Sequence, residues 1–180
     1  MSGILAVLAA MSMSVAKPQP LDAPACAISE SRRSAIMSAA YDAFDQSMEG
    51  DTNWRSVMDA GCYETAAQLV EDYLAKNREK LSDEARRTMH FHVGQILALA
   101  GEDARAVPSF EKSRGGTAEW NAYADAMLAF ARHDRPAFDG ARKAYDAAAP
   151  ASPRRTVLAS LAACFGKPYA EAMMCEAPKP

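Results

Sequence analysis

Apolar residues in the middle of the chain follow helical spacing. Val93 and Leu97 are four residues apart, which places them on one face of a helix. Gly94 leaves space beside them for a second helix, and Gly101 is typical of a helix end where the backbone turns left-handed. The four-residue step recurs after this turn, at Ala106 and Phe110. The pattern predicts two short antiparallel helices in close contact.

The remaining chain also has helical rather than strand patterning. No stretch shows the sustained alternation of β-branched residues that indicates a strand. Ser29, Ser82 and Thr117 stand where N-caps are expected, because a hydroxyl can accept a hydrogen bond from the first helical turn. The predicted helices cover 28–48, the two arms of a hairpin within 54–74, 82–100, 102–113, 119–131, 136–146, 153–164 and a brief segment after 168.

The central hairpin resembles a tetratricopeptide repeat, a helix–turn–helix unit of roughly 34 residues. Its turn GEDARAV at 101–107 is paralleled by GCYETAA at 61–67. A third helix has the order aromatic, large, small, large that opens such a repeat: Trp120, Tyr123, Ala124 and Met127. The resemblance implies an all-α domain over 28–176, with antiparallel hairpins stacked as a short right-handed solenoid. An ordinary amphipathic hairpin is the alternative for the central segment.

The N-terminus predicts export. An apolar run at 3–11 precedes the small residues Ser14 and Ala16, the arrangement that signal peptidase cleaves. We therefore expect a signal peptide at 1–16, a proline-containing linker at 17–27 and a loose tail at 177–180. The run is too short for a stable membrane span, which needs about 20 apolar residues. The expected location is periplasmic or secreted, and a disordered apolar tail on a cytosolic protein is the alternative.

Four cysteines change the picture once export is expected. An even number in an exported chain suggests disulfides, and four cysteines allow three pairings. The pairs nearest in sequence are favoured: Cys26 with Cys62, and Cys164 with Cys175. No CxxC spacing is present, so neither zinc binding nor thioredoxin chemistry is indicated.

Charge and motifs narrow the function further. The net charge of −3 gives no electrostatic reason to expect nucleic acid as a partner. His90 and His92 point about 200° apart on a helix and cannot hold one metal ion together. The chain has no GxSxG, P-loop or GxGxxG motif. We therefore predict no catalytic residue, no metal site and no cofactor.

The expected functional feature is a surface. Stacked hairpins curve, and their first helices line a concave groove. Six side chains are predicted to face it: Arg55, Asp59, Phe91, Gln95, Asn121 and Asp125. Hydrogen-bonding groups beside an aromatic ring suit a protein or peptide partner, which predicts an exported adaptor rather than an enzyme. The alternatives are an idle spacer surface, or an enzyme-associated or cell-wall-fragment-binding helical domain whose site has no sequence signature.

Overall fold

The structure, a computed structural model, describes residues 26–177 and is all-α. Its helices are α1 (Glu30–Ser38), a π-helical turn (Asp42–Gln46), α2 (Arg55–Met58), α3 (Tyr63–Asn77), α4 (Asp83–Leu99), α5 (Asp103–Lys112), α6 (Ala118–Ala131), α7 (Arg135–Ala148), α8 (Arg154–Ala163) and α9 (Tyr169–Met173). No strand occurs within 26–177. The predicted signal peptide, the linker up to residue 25 and residues 178–180 lie outside the described part.

The three predicted N-caps are confirmed. The hydroxyl of Ser29, Ser82 and Thr117 each accepts a hydrogen bond from the backbone amide three residues later, at 3.1–3.2 Å. Asp134 caps α7 in the same way, by accepting from the amide of Ala137 at 3.0 Å. Each cap satisfies an amide that has no partner inside its own helix, and so fixes where the helix begins.

Three helix ends turn the chain with the same hydrogen bonds. Gly61 follows α2, Gly101 follows α4 and His133 follows α6, and all three have positive φ. The amide of each donates to the carbonyl three residues earlier, and the next amide donates to the carbonyl five residues before itself. This is the Schellman arrangement, which normally uses glycine. The parallel between the turns at 61 and 101 therefore extends to a third turn, where histidine occupies the left-handed position.

Neighbouring helices pack in chain order from α3 to α9, and α9 also contacts α4. The contact between α4 and α5 is as close as the sequence predicts. A β-carbon placed on Gly94 would lie 2.7 Å from two ring carbons of Phe110, so only glycine fits without a shift. The four apolar residues that predicted this hairpin are all buried: Val93, Leu97, Ala106 and Phe110.

The predicted continuous helix over 28–48 is wrong. The chain leaves helical geometry at Ala39, whose ψ is 149°, and resumes in the π-helical turn. The carbonyl of Ala39 accepts a hydrogen bond from the Tyr73 hydroxyl of α3 at 2.8 Å. The ring of Phe44 then stacks on Tyr73 at 3.8 Å between centroids. Contacts with α3 thus replace the local hydrogen bonds that would have continued the helix.

Both favoured cysteine pairs lie at disulfide distance. The sulfurs of Cys26 and Cys62 are 2.08 Å apart, and those of Cys164 and Cys175 are 1.98 Å apart. The first pair ties the N-terminal segment to the turn between α2 and α3, and the second joins the end of α8 to the segment after α9. Among residues 26–177, none of the helices has the length and apolar character needed to cross a bilayer.

Candidate functional site: a pocket lined by α2, α4, α6 and α8

A pocket of about 290 Å³ opens where side chains of α4 and α6 meet residues from α2, α8 and the π-helical turn. Its polar and charged lining comes from Gln46, Arg55, Thr88, His92, Gln95 and Arg154, and its apolar lining from Met48, Phe91, Trp120 and Tyr123. Basic, amide and aromatic groups therefore converge in one depression, which makes it the candidate binding site.

A buried carboxylate lies behind the pocket wall. Asp45 has no exposed surface, and its Oδ1 bonds to Nδ1 of His92 at 2.8 Å and accepts from Nε1 of Trp54 at 3.1 Å. Burial alone would raise the pKa of Asp45. The pKa is nevertheless lowered, because four effects together outweigh burial: the hydrogen bond from His92, the charge of His92, the hydrogen bond from Trp54 and the charge of Arg55. Asp45 is therefore ionised at neutral pH.

The ionised carboxylate sets the tautomer of His92. A carboxylate can only accept, so Nδ1 of His92 carries the proton and Nε2 is the nitrogen left for another partner. The His92 side chain is mostly buried and lines the pocket. Asp45 thus holds the imidazole in one orientation, as carboxylates do for histidines that bind a metal or act as a base.

Two guanidinium groups reach the pocket from different helices. Arg55 of α2 stacks over the Trp54 ring at 4.1 Å and donates to the backbone carbonyl of Asp45. Burial lowers the pKa of Arg55, and the charge of Asp45 opposes that effect. Arg154 of α8 lies over the Tyr123 ring at 5.3 Å. Both cations are held against aromatic faces, which limits their freedom before any ligand binds.

The aromatic wall is packed and hydrogen-bonded. The Phe91 ring lies 5.2 Å from Trp120 and 5.3 Å from Tyr123, between centroids. Nε1 of Trp120 donates to the carbonyl of Ser113 at 2.6 Å. Burial is the main cause that raises the pKa of Tyr123, which stays a neutral phenol. The wall is therefore rigid and uncharged.

The pocket contains three of the six residues predicted to face the groove: Arg55, Phe91 and Gln95. The other three lie elsewhere. Asn121 accepts from the amides of Gly115 and Gly116 and so holds the turn before α6. Asp125 pairs with Arg114 at 2.7 Å, and Asp59 is exposed at the end of α2. On α6 the pocket receives Trp120 and Tyr123 instead of the neighbours that the sequence predicted.

Sequence reasoning missed Asp45, Trp54 and His92 as a unit. Asp45 falls inside the segment predicted as continuous helix, and it lies 47 residues from His92. One signal was available on α4, where Thr88, His92 and Gln95 follow helical spacing and share a face. Comparisons with protein-family models, curated proteins and solved structures give no match to this chain, so its function is argued from this geometry.

Proposed function

We propose that this chain is an exported tetratricopeptide-like adaptor that binds a protein or peptide partner in a concave groove centred on the pocket. The three matching Schellman turns and the serial packing of helices support short stacked repeats, which we propose form a right-handed solenoid. The two cysteine pairs support a periplasmic or secreted location, because disulfides persist in oxidising compartments.

The observation that carries the proposal is the composition of the pocket lining. Arg55 and Arg154 offer planar forks that bind carboxylates, and Nε2 of His92 can accept one more hydrogen bond. Trp120, together with the edges of the mostly buried rings of Phe91 and Tyr123, provides an apolar wall. A partner segment with an acidic side chain or a C-terminal carboxylate next to an apolar residue matches both halves of the lining.

Met48 adds a second argument. Its side chain is 78% exposed, and it stands at the pocket. Only one other large apolar side chain in the described part, Met174, is comparably exposed. An exposed methionine beside aromatic and arginine side chains is typical of a surface that adapts to a partner.

The test is selection of peptides from a random displayed library on the mature protein. Selected sequences should be enriched in Asp or Glu beside an apolar residue. Their binding should be weakened by Met48→Glu, which places a carboxylate against the acidic peptide, and by Arg154→Glu. The matched control is Met174→Glu, which makes the same change at an 85% exposed site away from the pocket lining. No enrichment, or equal binding by all variants, would contradict the proposal.

A hydrolytic enzyme is the second candidate, and the Asp45–His92 pair favours it. A carboxylate that orients a histidine is the arrangement of a general base, and Nε2 of His92 could activate a water molecule. Release of product from ester or peptide substrates, abolished by His92→Gln and retained by Met174→Glu, would support an enzyme. Intact peptide binding with no turnover would support the adaptor.

A further inference from the structure

A second and larger depression lies on another side of α4. Its volume is about 660 Å³, and α3, α4 and α5 line it together. From α4 it receives Asp83, Arg86, Arg87 and His90, whereas the pocket described above receives Thr88, Phe91, His92 and Gln95. The two depressions share no lining residue, so a ligand in one leaves the other open.

The charge of this depression differs in sign from that of the whole chain. Five basic side chains line it: Arg78, Arg86, Arg87, Lys112 and Arg114. Two carboxylates line it, Glu71 and Asp83. The local excess is three positive charges, although the chain carries a net charge of −3. A concave surface with one sign of charge focuses its field and attracts the opposite ion.

Some of these cations are already paired. Arg86 pairs with Asp83 and donates to the backbone carbonyl of Arg78 at 2.9 Å. Arg114 pairs with Asp125 at 2.7 Å. Within residues 26–177, no carboxylate lies at ion-pair distance from Arg78, Arg87 or Lys112, and Glu71 of the same lining has no ion-pair partner either.

The pKa of His90 is affected by one of these positive charges. His90 lies among these cations, and its pKa is lowered first by burial and then by the positive charge of Lys112. Ser109, largely buried, adds a hydroxyl donor to the lining. The depression therefore combines three cations that have no ion-pair partner with a histidine and a hydroxyl, all of which can donate hydrogen bonds to oxyanions, against one unpaired carboxylate, Glu71.

We propose that this depression, the α3–α5 basic site, binds a small soluble anion that carries two or more phosphate groups. Guanidinium forks match the oxygens of phosphate, and lysine adds a mobile point charge. Arg78, Arg87 and Lys112 come from the end of α3, from α4 and from the end of α5. A ligand with several linked phosphates engages cations on three separate elements, whereas a single phosphate engages fewer of them.

The test uses titration calorimetry of the mature, oxidised protein with tripolyphosphate. Binding should weaken as salt rises, because exposed charges are screened. The variant Arg87→Gln/Lys112→Gln should weaken binding about tenfold or more, since charge-assisted hydrogen bonds are worth that much. The matched control Arg142→Gln/Lys143→Gln removes the same charges from α7 and should leave the affinity within about twofold.

A second readout does not depend on a variant. Bound phosphate should raise the pKa of His90, because it adds negative charge beside the imidazole. Proton NMR titration with and without tripolyphosphate measures this shift, and His92 and His133 serve as internal references. An unmoved His90, equal loss in both double variants, or no binding at millimolar tripolyphosphate would each overturn the proposal. Binding to phosphatidylglycerol vesicles without binding to tripolyphosphate would overturn it too, because it would assign the site to a membrane surface.

Discussion

Replacing Gly94 with alanine tests the close contact between α4 and α5. On an exposed helix, glycine to alanine stabilises by about 1 kcal/mol, because glycine loses more backbone entropy on folding. At Gly94 the added methyl would lie 2.7 Å from Cδ1 and Cε1 of Phe110 and 3.0 Å from Cγ. Phe110 is 1% exposed, and its ring packs edge-on against Phe91 at 5.6 Å, so it has little room to retreat.

The magnitude follows from these opposing effects. Overpacking of a core contact costs about 1–3 kcal/mol, from which the helix-propensity gain of about 1 kcal/mol is subtracted. Gly94→Ala should therefore destabilise by roughly 1 kcal/mol, and Gly94→Leu by more, because it adds further carbons at the same place.

Gly140 of α7 provides the matched control. A β-carbon there meets nothing within 4 Å. Gly140→Ala should therefore stabilise the protein through the higher helix propensity of alanine, with no steric clash. Urea unfolding followed by far-ultraviolet circular dichroism, with disulfides intact, should separate the two variants by about 2 kcal/mol. In the Gly94→Ala background, Phe110→Leu should recover part of the loss, as a double-mutant cycle would measure. If Gly94→Ala stabilises as much as Gly140→Ala, the close packing of α4 on α5 is refuted.

Three further predictions concern the ends and the buried carboxylate. Loss of the Cys164–Cys175 bridge should lower the free energy of unfolding by under about 3 kcal/mol. Loss of the Cys26–Cys62 bridge should lower it by about 1 kcal/mol more, because this bridge closes the longer loop. Unfolding of Cys175→Ser and Cys62→Ser measures both losses, and hydrogen exchange locates the loosened C-terminal and N-terminal segments. Because the pKa of Asp45 is lowered on folding, its ionised carboxylate stabilises the fold fully above the unfolded pKa of 3.8, and this stabilisation is lost as pH falls through the folded pKa. Asp45→Asn should therefore make the free energy of unfolding less dependent on pH on the acid side. An equally steep dependence in the variant would contradict this prediction. N-terminal sequencing of the mature protein should begin at Lys17, and an intact Met1 would contradict export.

The local features of the fold were predictable from sequence. Caps such as Ser82 depend on residues within one turn, and the apolar spacing around Val93 depends on one helix face. The break at Ala39 was not predictable, because it depends on the hydroxyl of Tyr73, 34 residues away. Long-range hydrogen bonds override local helix propensity without leaving a local signal.

The candidate site was only partly predictable for the same reason. Arg55, Phe91 and Gln95 could be assigned to one surface from the helix face that each occupies. Choosing Trp120 instead of Asn121 would have required knowledge of how α6 is rotated about its axis, which the sequence does not specify. A shift of one residue turns a helical side chain by about 100°. The basic residues of the proposed α3–α5 basic site were not predicted as a cluster, because they belong to three different helices and the net charge of the chain has the opposite sign.

The contact of α9 with α4 has a consequence for the order in which the helices can pack during synthesis. Most helices pack against the next one in sequence, so they can assemble as the chain emerges N-terminus first. Tyr169 bonds to Gln95, which was made 74 residues earlier. Until α9 has been made, the surfaces of Phe130 and Met127 that Tyr169 contacts are not covered by it. A nascent or truncated chain that ends before α9 therefore presents an apolar surface to chaperones and to other chains, and α9 covers that surface.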